Sequence, residues 1–576
     1  SKKEGKYSGI NYNDLRAMVE SFMVGLMELG IHSGDRVGLV GENRLEWVVS
    51  DLAIVSIGAI DVPVFPSLSA KQEEYIFNDS EVVAIIVSNK YQLNKILEVR
   101  ENIASLRHII VMDTNIDAKD ITIKSMSKLI ERGNEITNSE ERKSIFEDSI
   151  NKIKEYDLLT LIYTSGTTGN PKGVMLTHKN IISNVEAAKE IIYFDEYDLF
   201  LSFLPMCHAY ERTTGYYTAF SSGSTIAFAE SIESVATNIL EVKPTIMTTV
   251  PRLLEMIKRR AYSNIEKESK TKQKIFHWAV KIGVNYVRNK LAGHKSAFLN
   301  AKYKLADKLV FSKIRERTGG RLRLFVSGGA PLSVDVNEFF LAAGITCIEG
   351  YGLTESSPII SANEPDNPEI GTVGTILKNM EVKIAPDGEI LARGPNIMKG
   401  YWKDPKATEE AIDENGWLYT GDIGLFTEKG NLKITDRKKY IFVNTGGKNI
   451  APQPIENVLR QSPFIEHCVL VGDKRDYITA LISPDFDELK KLADTFGLVY
   501  NSLSDLITNP KIIQVIKNDI DRYQKDFAKF ERVRKFSLVS QPFSIENGEL
   551  TPKLSIKRHV VERKFSYLID EMYKLD

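Results

Sequence analysis

The chain has 576 residues, more than one ordinary hydrophobic core accommodates, so we expect two or more domains. Its 75 Lys and Arg residues nearly balance its 77 Asp and Glu residues, and the net charge of -2 gives no electrostatic argument for nucleic acid binding. No run approaches the roughly 18 apolar residues of a membrane-spanning helix, and the N-terminus lacks the apolar segment of a secretory signal. Cys207, Cys347 and Cys468 are odd in number and widely spaced, which argues against a disulfide framework or a zinc site and predicts a cytoplasmic location.

Helical and strand-like patterns alternate along the first part of the chain. Apolar residues at helical spacing predict helices over 11–30 and 45–60. Short apolar runs predict strands at 36–40, 61–65, 82–88, 108–112 and 158–163. Such alternation is typical of a parallel α/β sheet.

A stretch rich in glycine and hydroxyl groups, 163–173, follows the last of these strands. A helical pattern begins near His178, so the sequence predicts a loop between a strand and a helix. Backbone N–H groups, hydroxyls and the ammonium of Lys172 could all be directed at one polyanion. The alternative is an ordinary solvated loop, because Gly, Thr and Asn favour turns. The spacing differs from that of a P-loop, in which Ser or Thr follows the lysine, since here Gly173 follows it.

Glycines also follow two strands in the middle of the chain. Strands are predicted at 199–204, 225–228, 245–250, 322–326 and 346–349. Gly328 and Gly329 come after the fourth of these strands, and Gly350 comes directly after the fifth. Ligands of parallel α/β sheets bind beyond the carboxyl ends of the strands. We therefore expect these strand ends and the one at Gly166 to converge on one crevice.

The segment 260–313 is long, basic and helical in pattern. A solvated helical face explains these charges most simply. Contact with a membrane surface is the alternative, because the apolar residues Phe276, Trp278 and Tyr286 lie among the charges.

The sequence pattern changes at Gly371, where short apolar stretches begin to alternate with residues that favour turns. This pattern predicts a small antiparallel barrel or sheet. A polar break at Asp436 is followed by another α/β pattern. We therefore predict an N-terminal domain over 1–435, with a barrel-like subdomain over 371–435, and a C-terminal domain over 436–576.

The stretch 163–173 resembles the signature loop of the adenylate-forming superfamily, which includes acyl-CoA synthetases, peptide-synthetase adenylation domains and luciferases. Tyr351 to Glu355 and Tyr419 to Asp422 are similar to further motifs of that superfamily. The resemblance implies ATP, a carboxylic acid substrate and an acyl-adenylate intermediate. It also implies a large N-terminal α/β domain of parallel-rich sheets with a small β-barrel-like subdomain, followed by a small mobile α+β C-terminal domain.

The resemblance assigns roles to individual residues. The ATP phosphates would contact Thr164, Ser165, Gly166, Thr167, Thr168, Gly169 and Lys172. Adenine would lie against Gly329, Ala330, Gly350, Tyr351 and Gly352, and the ribose against Asp422 and Arg437. The catalytic residues would be Lys172, His208, Thr354, Glu355 and Lys557, with Mg²⁺ held by Thr167 and Glu355. The remaining cofactor-binding residues would be Lys439 and the coenzyme A loop of Gly446, Gly447 and Lys448.

Four segments are similar to long-chain fatty acyl-CoA synthetases in particular. They are the His-x-x-Glu-Arg element that begins at His208 and the ranges 309–317, 327–333 and 445–456. This similarity implies ATP-dependent conversion of a long-chain fatty acid to acyl-CoA, with ATP, Mg²⁺ and coenzyme A as cofactors and co-substrates. A fatty acyl-AMP ligase, a non-catalytic adenylate-binding homologue and an ordinary P-loop NTPase are the alternatives. Homodimer formation stays open.

One segment departs from the superfamily pattern. The superfamily has a C-terminal lysine that reaches the adenylate carboxylate, and in the long-chain pattern Thr-Pro-x-x-Lys-x-Lys-Arg its position falls on Ser555. Serine cannot supply the positive charge. Lys553 and Lys557 flank this position, and we assign the role to Lys557, with Lys553 as the alternative.

Overall fold

The computed structural model describes residues 2–3, 5–114, 120, 122–164, 170–443, 445, 449–551 and 556–574. For Lys3, Lys439, Val443 and Asn449, only the backbone is described. The chain divides into two compact units, of which unit 1 comprises Ser1–Lys383, Leu391–Tyr419 and Glu428–Leu432. Unit 2 comprises Ile384–Ile390, Thr420–Thr427 and Lys433–Asp576. Among the residues described, no helix has both the length and the hydrophobicity that crossing a membrane requires.

The strands are numbered in chain order. They are β1 (Lys2–Lys3), β2 (Lys6–Tyr7), β3 (Arg36–Val40), β4 (Ile60–Val64), β5 (Val82–Val87), β6 (His108–Val111), β7 (Ile123–Ser125), β8 (Leu158–Thr164), β9 (Lys172–Thr177), β10 (Leu199–Ser202), β11 (Thr225–Phe228), β12 (Ile246–Thr249) and β13 (Leu324–Ser327). The second half contributes β14 (Thr346–Gly352), β15 (Ile359–Ala362), β16 (Thr375–Ile376), β17 (Glu381–Ile384), β18 (Glu389–Arg393), β19 (Gly400–Tyr401), β20 (Leu418–Phe426), β21 (Leu432–Arg437), β22 (Phe442–Val443), β23 (Asn449–Ile450), β24 (Ile465–Val471), β25 (Ile478–Pro484) and β26 (Val533–Leu538).

The α-helices are numbered in the same way. They are α1 (Tyr12–Glu28), α2 (Leu45–Ile57), α3 (Ala70–Ser80), α4 (Lys90–Val99), α5 (Met126–Ile136), α6 (Ser139–Ile150), α7 (His178–Ile191), α8 (Thr218–Ser221), α9 (Val235–Val242), α10 (Pro251–Glu266), α11 (Lys270–Leu291), α12 (Ala297–Ala306), α13 (Ser312–Arg317), α14 (Val334–Ala342), α15 (Pro405–Ala411), α16 (Pro452–Leu459), α17 (Phe486–Thr495), α18 (Leu503–Thr508), α19 (Pro510–Tyr523), α20 (Arg558–Lys564) and α21 (Ser566–Tyr573). Two π-helical segments span Glu211–Tyr217 and Asp307–Phe311.

The first large sheet of unit 1 has eight strands in the order β19-β9-β8-β4-β3-β5-β6-β7. The strands from β8 to β7 in this order are parallel, whereas β9 is antiparallel to both of its neighbours. Alternate residues of β5 enter two hydrophobic clusters, Ala84 and Ile86 with α1 and α2, and Ile85 and Val87 with α3 and α4. Burial on both faces explains why such strands have nearly continuous apolar sequences.

The second large sheet of unit 1 has seven strands in the order β11-β10-β12-β13-β14-β15-β16. The first five are parallel, and β15 and β16 are antiparallel to their neighbours. Strand β13 ends directly before Gly328, and its neighbour β14 contains Gly350. The parallel arrangement therefore brings these two glycine-bearing strand ends to the same edge of one sheet.

Smaller sheets follow in the second half of the chain. Residues 381–437 contribute a four-stranded sheet in the order β17-β18-β20-β21, within the region predicted to form a small antiparallel barrel or sheet. In unit 2, β24, β25 and β26 form a three-stranded sheet. Its two faces alternate along β25, with Ala480 and Ile482 packed among α16, α17 and α19, and Leu481 packed among α20 and α21.

The predicted fold class, α/β with parallel-rich sheets and a smaller C-terminal domain, is confirmed. The helix predicted over 45–60 is too long, because it ends at Ile57. Gly58 follows in the left-handed conformation with φ of 79°, which glycine adopts without strain, and β4 begins at Ile60. The domain boundary at Asp436 stays a prediction.

A buried cluster of charges joins helix α2 and two strands of the first sheet, β4 and β8, to the π-helical segment Glu211–Tyr217. Arg212 is fully buried and forms ion pairs with Asp51 of α2 and, at 2.7 Å, with Asp61 of β4. Its guanidinium also donates to Thr160 Oγ1 of β8 at 2.8 Å and to the Tyr217 hydroxyl at 3.1 Å. Burial raises the pKa of Asp61, so one guanidinium faces two carboxyl groups of which one favours the protonated form.

Candidate functional site

The glycine-rich stretch connects two antiparallel strands. Thr164, the last residue of β8, is paired with Lys172, the first residue of β9. The prediction of a loop leading directly into a helix is therefore wrong, because β9 intervenes and α7 begins only at His178, capped by the Thr177 hydroxyl. The predicted phosphate contacts from Ser165 to Gly169 lie outside the described residues.

Lys172 and Glu355, predicted to contact the phosphates and Mg²⁺, lie on either side of Tyr401. The Tyr401 hydroxyl donates to Glu355 Oε1 at 2.9 Å. The Lys172 Nζ atom lies 5.1 Å from the centroid of the Tyr401 ring and 3.8 Å from Asp404 Oδ2. Lys172 is 41% exposed and so remains accessible to a ligand. Burial and the neighbouring Glu355 carboxylate raise the pKa of Tyr401, which therefore stays a hydrogen-bond donor.

The segment that carries Glu355 leaves β14 through a tight backbone contact. A Cβ atom on Gly352 would lie 1.6 Å from the carbonyl oxygen of Pro358, so no other residue fits at this position. Gly350 and Tyr351 lie in β14, and the Tyr351 side chain is buried. Thr354 is buried in the following 3₁₀ turn, Thr354–Ser356.

Gly329 and Ala330, predicted to approach adenine, lie in the exposed turn after β13. Gly329 has φ of +78°, and an added Cβ atom would meet nothing within 4 Å, so the constraint there is conformational. The preceding residue, Gly328, is fixed by packing instead, because an added Cβ atom would lie 2.9 Å from the Tyr210 ring. The Tyr210 hydroxyl donates to the Val326 carbonyl at 2.6 Å, which fixes the Tyr210 ring against the backbone of this turn.

His208 is half-buried and lies at the start of the helical segment after β10. Its Nδ1 atom accepts a hydrogen bond from the Tyr210 backbone N–H at 3.1 Å, so in the neutral ring the proton lies on Nε2. The ring centroid lies 6.2 Å from that of Phe65. This geometry presents Nε2 as the donor, as the predicted orienting role requires.

Glu211 of the His-x-x-Glu-Arg element is fully buried. It accepts hydrogen bonds from the hydroxyls of Ser202, at 2.6 Å, and Thr248. Gly215 makes room for it, because a Cβ atom there would lie 2.5 Å from Glu211 Oε1. Burial raises the pKa of Glu211 to about 7, and the two hydroxyls oppose this rise.

The predicted ribose-binding pair lies within unit 2. Arg437 Nε lies 2.7 Å from Asp422 Oδ1, and the Asp422 side chain is only 4% exposed. Gly421, with φ of +72°, donates its backbone N–H to Glu389 Oε1 at 2.9 Å. A surface depression beside this pair is lined by Thr420, Gly421, Arg437 and Lys438. The side chain of Lys439 is not among those described.

The lysine segment of unit 2 is anchored at its base. Leu550 and Ile556 form an antiparallel bridge, and the Lys557 backbone N–H donates to the Glu549 carbonyl at 2.7 Å. Arg558 is held by Glu456 and by the Leu470 carbonyl. Lys553 and Ser555 lie outside the described residues, as do the predicted coenzyme A contacts Gly446, Gly447 and Lys448.

The donors present in unit 1 fit a magnesium ion bound together with a nucleotide. Glu355 offers a hard carboxylate, and its hydrogen bond with Tyr401 engages Oε1 only. No group of three or more His, Cys, Asp or Glu side chains is arranged for a metal ion among the described residues. Mg²⁺ is commonly held by one or two carboxylates with phosphate and water oxygens completing its coordination.

Two family models account for most of the sequence. The model described as AMP-binding enzyme matches residues 3–402, and the one described as AMP-binding enzyme C-terminal domain matches residues 439–576. The chain belongs to the AMP-binding enzyme family. The predicted membership of the adenylate-forming superfamily is thereby confirmed.

Curated relatives of this AMP-binding enzyme match it over nearly its whole length. It is 34% identical to the long-chain-fatty-acid–CoA ligase FadD15 of Mycobacterium bovis, over 99% of this chain and 93% of the relative. It is 34% identical to the peroxisomal long chain acyl-CoA synthetase 7 of Arabidopsis thaliana, over 99% and 82%. It is also 34% identical to long-chain-fatty-acid–CoA ligase 5 of Rattus norvegicus, over 100% and 85%.

Solved structures share the fold of this AMP-binding enzyme. The adenylation domain of a carboxylate reductase from Mycobacterium chelonae aligns with a TM-score of 0.78 and 22% identity, over 99% of this chain and 85% of that chain. The A domain of carboxylic acid reductase from Segniliparus rugosus, in complex with AMP and a co-purified carboxylic acid, aligns with a TM-score of 0.75 and 19% identity, over 99% and 87%.

Tyr401 and Asp404 of this AMP-binding enzyme were not predicted from the sequence, although Tyr401 contacts Glu355 and Lys172 and Asp404 contacts Lys172. Gly400 is required by the backbone, because its φ of 141° is one that residues with a side chain rarely adopt and an added Cβ atom would lie 2.6 Å from the Thr408 side chain. The run Gly400-Tyr401-Trp402 could thus have been recognised as a structural element. Its pairing with β9, more than 200 residues away, could not.

Replacing Glu211 with glutamine tests the buried carboxyl group. A pKa raised to about 7 means that Glu211 binds a proton more tightly in the folded state than in the unfolded chain. Proton binding by Glu211 therefore stabilises the folded state fully below about pH 4.3, and this contribution is lost as the pH rises through about 7. Glu211→Gln removes this titration. We expect the stability of wild type relative to the variant to fall by on the order of 2–3 kcal/mol between about pH 5 and about pH 8. Thermal unfolding of both proteins at each pH measures it, and parallel profiles would contradict the assignment.

Proposed function

We propose that this AMP-binding enzyme activates long-chain fatty acids in two steps. The fatty acid carboxylate first attacks the α-phosphate of ATP, giving fatty acyl-AMP and pyrophosphate. The thiolate of coenzyme A then attacks the acyl carbon and AMP leaves, giving acyl-CoA. The observation that carries the proposal is identity of 34%, over nearly the full chain, with ligases from a bacterium, a plant and a mammal whose names state this activity.

The first step needs positive charge around the phosphates, because the attacking carboxylate and the triphosphate repel each other. Lys172 supplies one such charge beside the glycine-rich stretch. Glu355 would hold Mg²⁺, with Thr167 as the second predicted ligand, and the ion neutralises phosphate charge when it is bound. His208 would orient the fatty acid carboxylate through Nε2, consistent with the hydrogen bond that Nδ1 accepts.

The proposed nucleoside contacts follow the resemblance to the superfamily motifs. Tyr351 and the backbone of Gly329, Ala330, Gly350 and Gly352 would contact adenine. Asp422 would accept hydrogen bonds from the ribose hydroxyls, since a carboxylate accepts two donors well. Arg437 fixes the orientation of that carboxylate through its contact at 2.7 Å. Thr354 is assigned to the catalytic centre because it precedes Glu355.

The second step needs different groups at the same adenylate. We assign the hinge to Asp436, the predicted start of the C-terminal domain, about which that domain would rotate. The Asp436 carboxylate accepts the backbone N–H of Arg437 at 2.6 Å and of Gln453 at 3.4 Å. Rotation would exchange the lysine segment for the loop of Gly446, Gly447 and Lys448, with Lys439 nearby, and that loop would contact coenzyme A.

Loss of Lys172 or Glu355 tests the adenylation site. Lys172→Ala removes the charge at the phosphates and Glu355→Gln removes the metal ligand while keeping its shape. We expect each to reduce fatty-acid-dependent pyrophosphate release by about 100-fold or more. The matched control is Lys179→Ala, which removes an exposed lysine of α7 that pairs with Glu155. Wild-type rates in both site variants would refute the site.

The same assay separates coenzyme A ligases from acyl-AMP ligases and from P-loop NTPases. Oleate, ATP and coenzyme A together should yield oleoyl-CoA and AMP in equal amounts. Accumulation of oleoyl-AMP with no response to coenzyme A would indicate an acyl-AMP ligase, and ADP as the product would indicate an NTPase.

Lysine substitutions test which residue serves adenylation. Lys557→Ala should slow formation of acyl-AMP by about 100-fold, because no positive charge reaches the adenylate carboxylate. It should leave the reaction of preformed oleoyl-AMP with coenzyme A unchanged within about twofold. Lys553→Ala is the comparison variant. Selective loss of adenylation in Lys553→Ala instead, or equal loss of both half-reactions in Lys557→Ala, would contradict the assignment.

A surface of unit 1 supports peripheral membrane contact, which we propose for residues 270–317. This segment has thirteen Lys and Arg residues against two Asp and Glu residues, although the whole chain is nearly neutral. Phe298, Leu305 and Leu309 are 70%, 51% and 41% exposed. The spacing of seven residues places Phe298 and Leu305 on one face of α12, and Leu309 lies in the π-helical segment that follows it. Lys302 lies 4.0 Å from the Phe298 ring. Exposed apolar residues flanked by lysine are typical of helices that bind anionic bilayers.

Vesicle sedimentation tests this surface. We expect binding to vesicles of phosphatidylglycerol and phosphatidylcholine, weaker binding at high salt and little binding to phosphatidylcholine alone. Phe298→Ser with Leu305→Ser should weaken binding by about tenfold or more, because two apolar side chains no longer enter the bilayer. Tyr197→Ser, at a side chain that is 77% exposed, is the control. Equal binding of all three proteins would contradict the proposal. Cytoplasmic location stays a prediction of the sequence, and homodimer formation stays open.

A further inference from the structure

Tyr401 touches both charged residues that the proposed function assigns to ATP and Mg²⁺. Its hydroxyl donates to Glu355 Oε1 at 2.9 Å, and its ring centroid lies 5.1 Å from Lys172 Nζ. These two contacts use different parts of one side chain. The hydroxyl acts on the carboxylate and the ring face acts on the ammonium, so the two effects can be removed separately.

The backbone around Tyr401 is held on both sides. Its strand, β19, pairs with β9, with Tyr401 opposite Val174 and only two residues beyond Lys172 in the register. The Trp402 backbone N–H donates to the Gly173 carbonyl at 2.7 Å. Three residues before Tyr401, the Met398 backbone N–H donates to the Glu355 carbonyl at 2.8 Å. The chain from 398 to 402 therefore connects the backbone of the lysine strand with the backbone of the carboxylate.

A hydrogen bond to one oxygen of a carboxylate fixes its rotation and leaves the other oxygen for a metal ion. Residues that donate to metal ligands in this way typically change metal affinity by about 10- to 100-fold when they are mutated. The ring makes a second contribution, because a cation over an aromatic face is attracted to it. Asp404, at 3.8 Å from Lys172 Nζ, holds the ammonium from another side.

We propose that Tyr401 is a positioning residue for metal and nucleotide, whose hydroxyl orients Glu355 for Mg²⁺ and whose ring directs Lys172 towards the phosphates. This inference rests on the proposed function of the site. It assigns to Tyr401 no contact with the substrate itself. It also explains why a tyrosine, which supplies both a donor and an aromatic face, is suited to this position.

Tyr401→Phe tests the hydroxyl alone. Binding of Mn²⁺ in the presence of a non-hydrolysable ATP analogue, followed by electron paramagnetic resonance, should weaken by about tenfold. Binding of the same analogue in EDTA, measured by calorimetry, should stay within about twofold because the ring remains. The Mg²⁺ concentration for half-maximal pyrophosphate release should rise by about the same factor as the Mn²⁺ dissociation constant.

Tyr401→Leu removes the ring as well. It should weaken metal binding as Tyr401→Phe does and should also weaken analogue binding in EDTA by about threefold or more. The matched control is Tyr12→Phe, which removes a hydroxyl that donates to the Ser224 carbonyl at 2.7 Å. This control should change neither dissociation constant.

The outcomes separate this inference from the proposed function. Wild type that binds no ATP analogue, or releases no AMP with oleate, would overturn both. Functional wild type with unchanged Mn²⁺ affinity in Tyr401→Phe would overturn only the positioning role. Equal weakening of analogue binding with and without metal in Tyr401→Phe would show a general structural effect and would overturn it as well.

Discussion

The pairing of β19 with β9 is the constraint that unites the candidate site of unit 1. Antiparallel pairing fixes the register of two strands, so Tyr401 can lie only where β9 places it, two residues from Lys172. The Met398 N–H donates to the Glu355 carbonyl and thereby fixes the position of the segment after β14 relative to β19. Three segments from distant parts of the chain thus take their positions from one short ladder. The charged side chains follow from that backbone arrangement.

Buried charge fixes the neighbouring element in a different way. Glu211 and Arg212 are consecutive and fully buried, yet they face separate partners, hydroxyls for the first and two carboxyl groups for the second. An unpaired buried charge is costly, so these partners define a single position for the π-helical segment. Gly215 leaves the space that the Glu211 carboxylate occupies. His208 precedes the segment, and the backbone N–H of Tyr210, the residue directly before the segment, orients its ring.

Local patterns in the sequence predicted most of the parallel strands, because strands such as 36–40 and 82–87 are buried on both faces and have nearly continuous apolar sequences. They did not predict β9, whose six residues begin with Lys172 and Gly173 and lie directly before a helix. Resemblance to family motifs, and not a local pattern, predicted site residues such as Asp422 and Arg437. In the structure, Arg437 Nε lies 2.7 Å from Asp422 Oδ1. Tyr401 escaped prediction because its significance arises from contacts across more than 200 residues of sequence, which no local pattern contains.

Each unit contains an ion pair that involves a predicted nucleotide-binding residue, Lys172 with Asp404 in unit 1 and Arg437 with Asp422 in unit 2. The two pairs differ in burial. The first is 41% exposed on both sides and 3.8 Å long, and exposed ion pairs contribute only about 0–1 kcal/mol, so a phosphate can replace Asp404 at little cost. The second contains a carboxylate that is 4% exposed, and removing its partner would leave a buried charge. We therefore expect a phosphate to displace the contact of Lys172 with Asp404, whereas the contact of Arg437 with Asp422 should persist when a ribose binds.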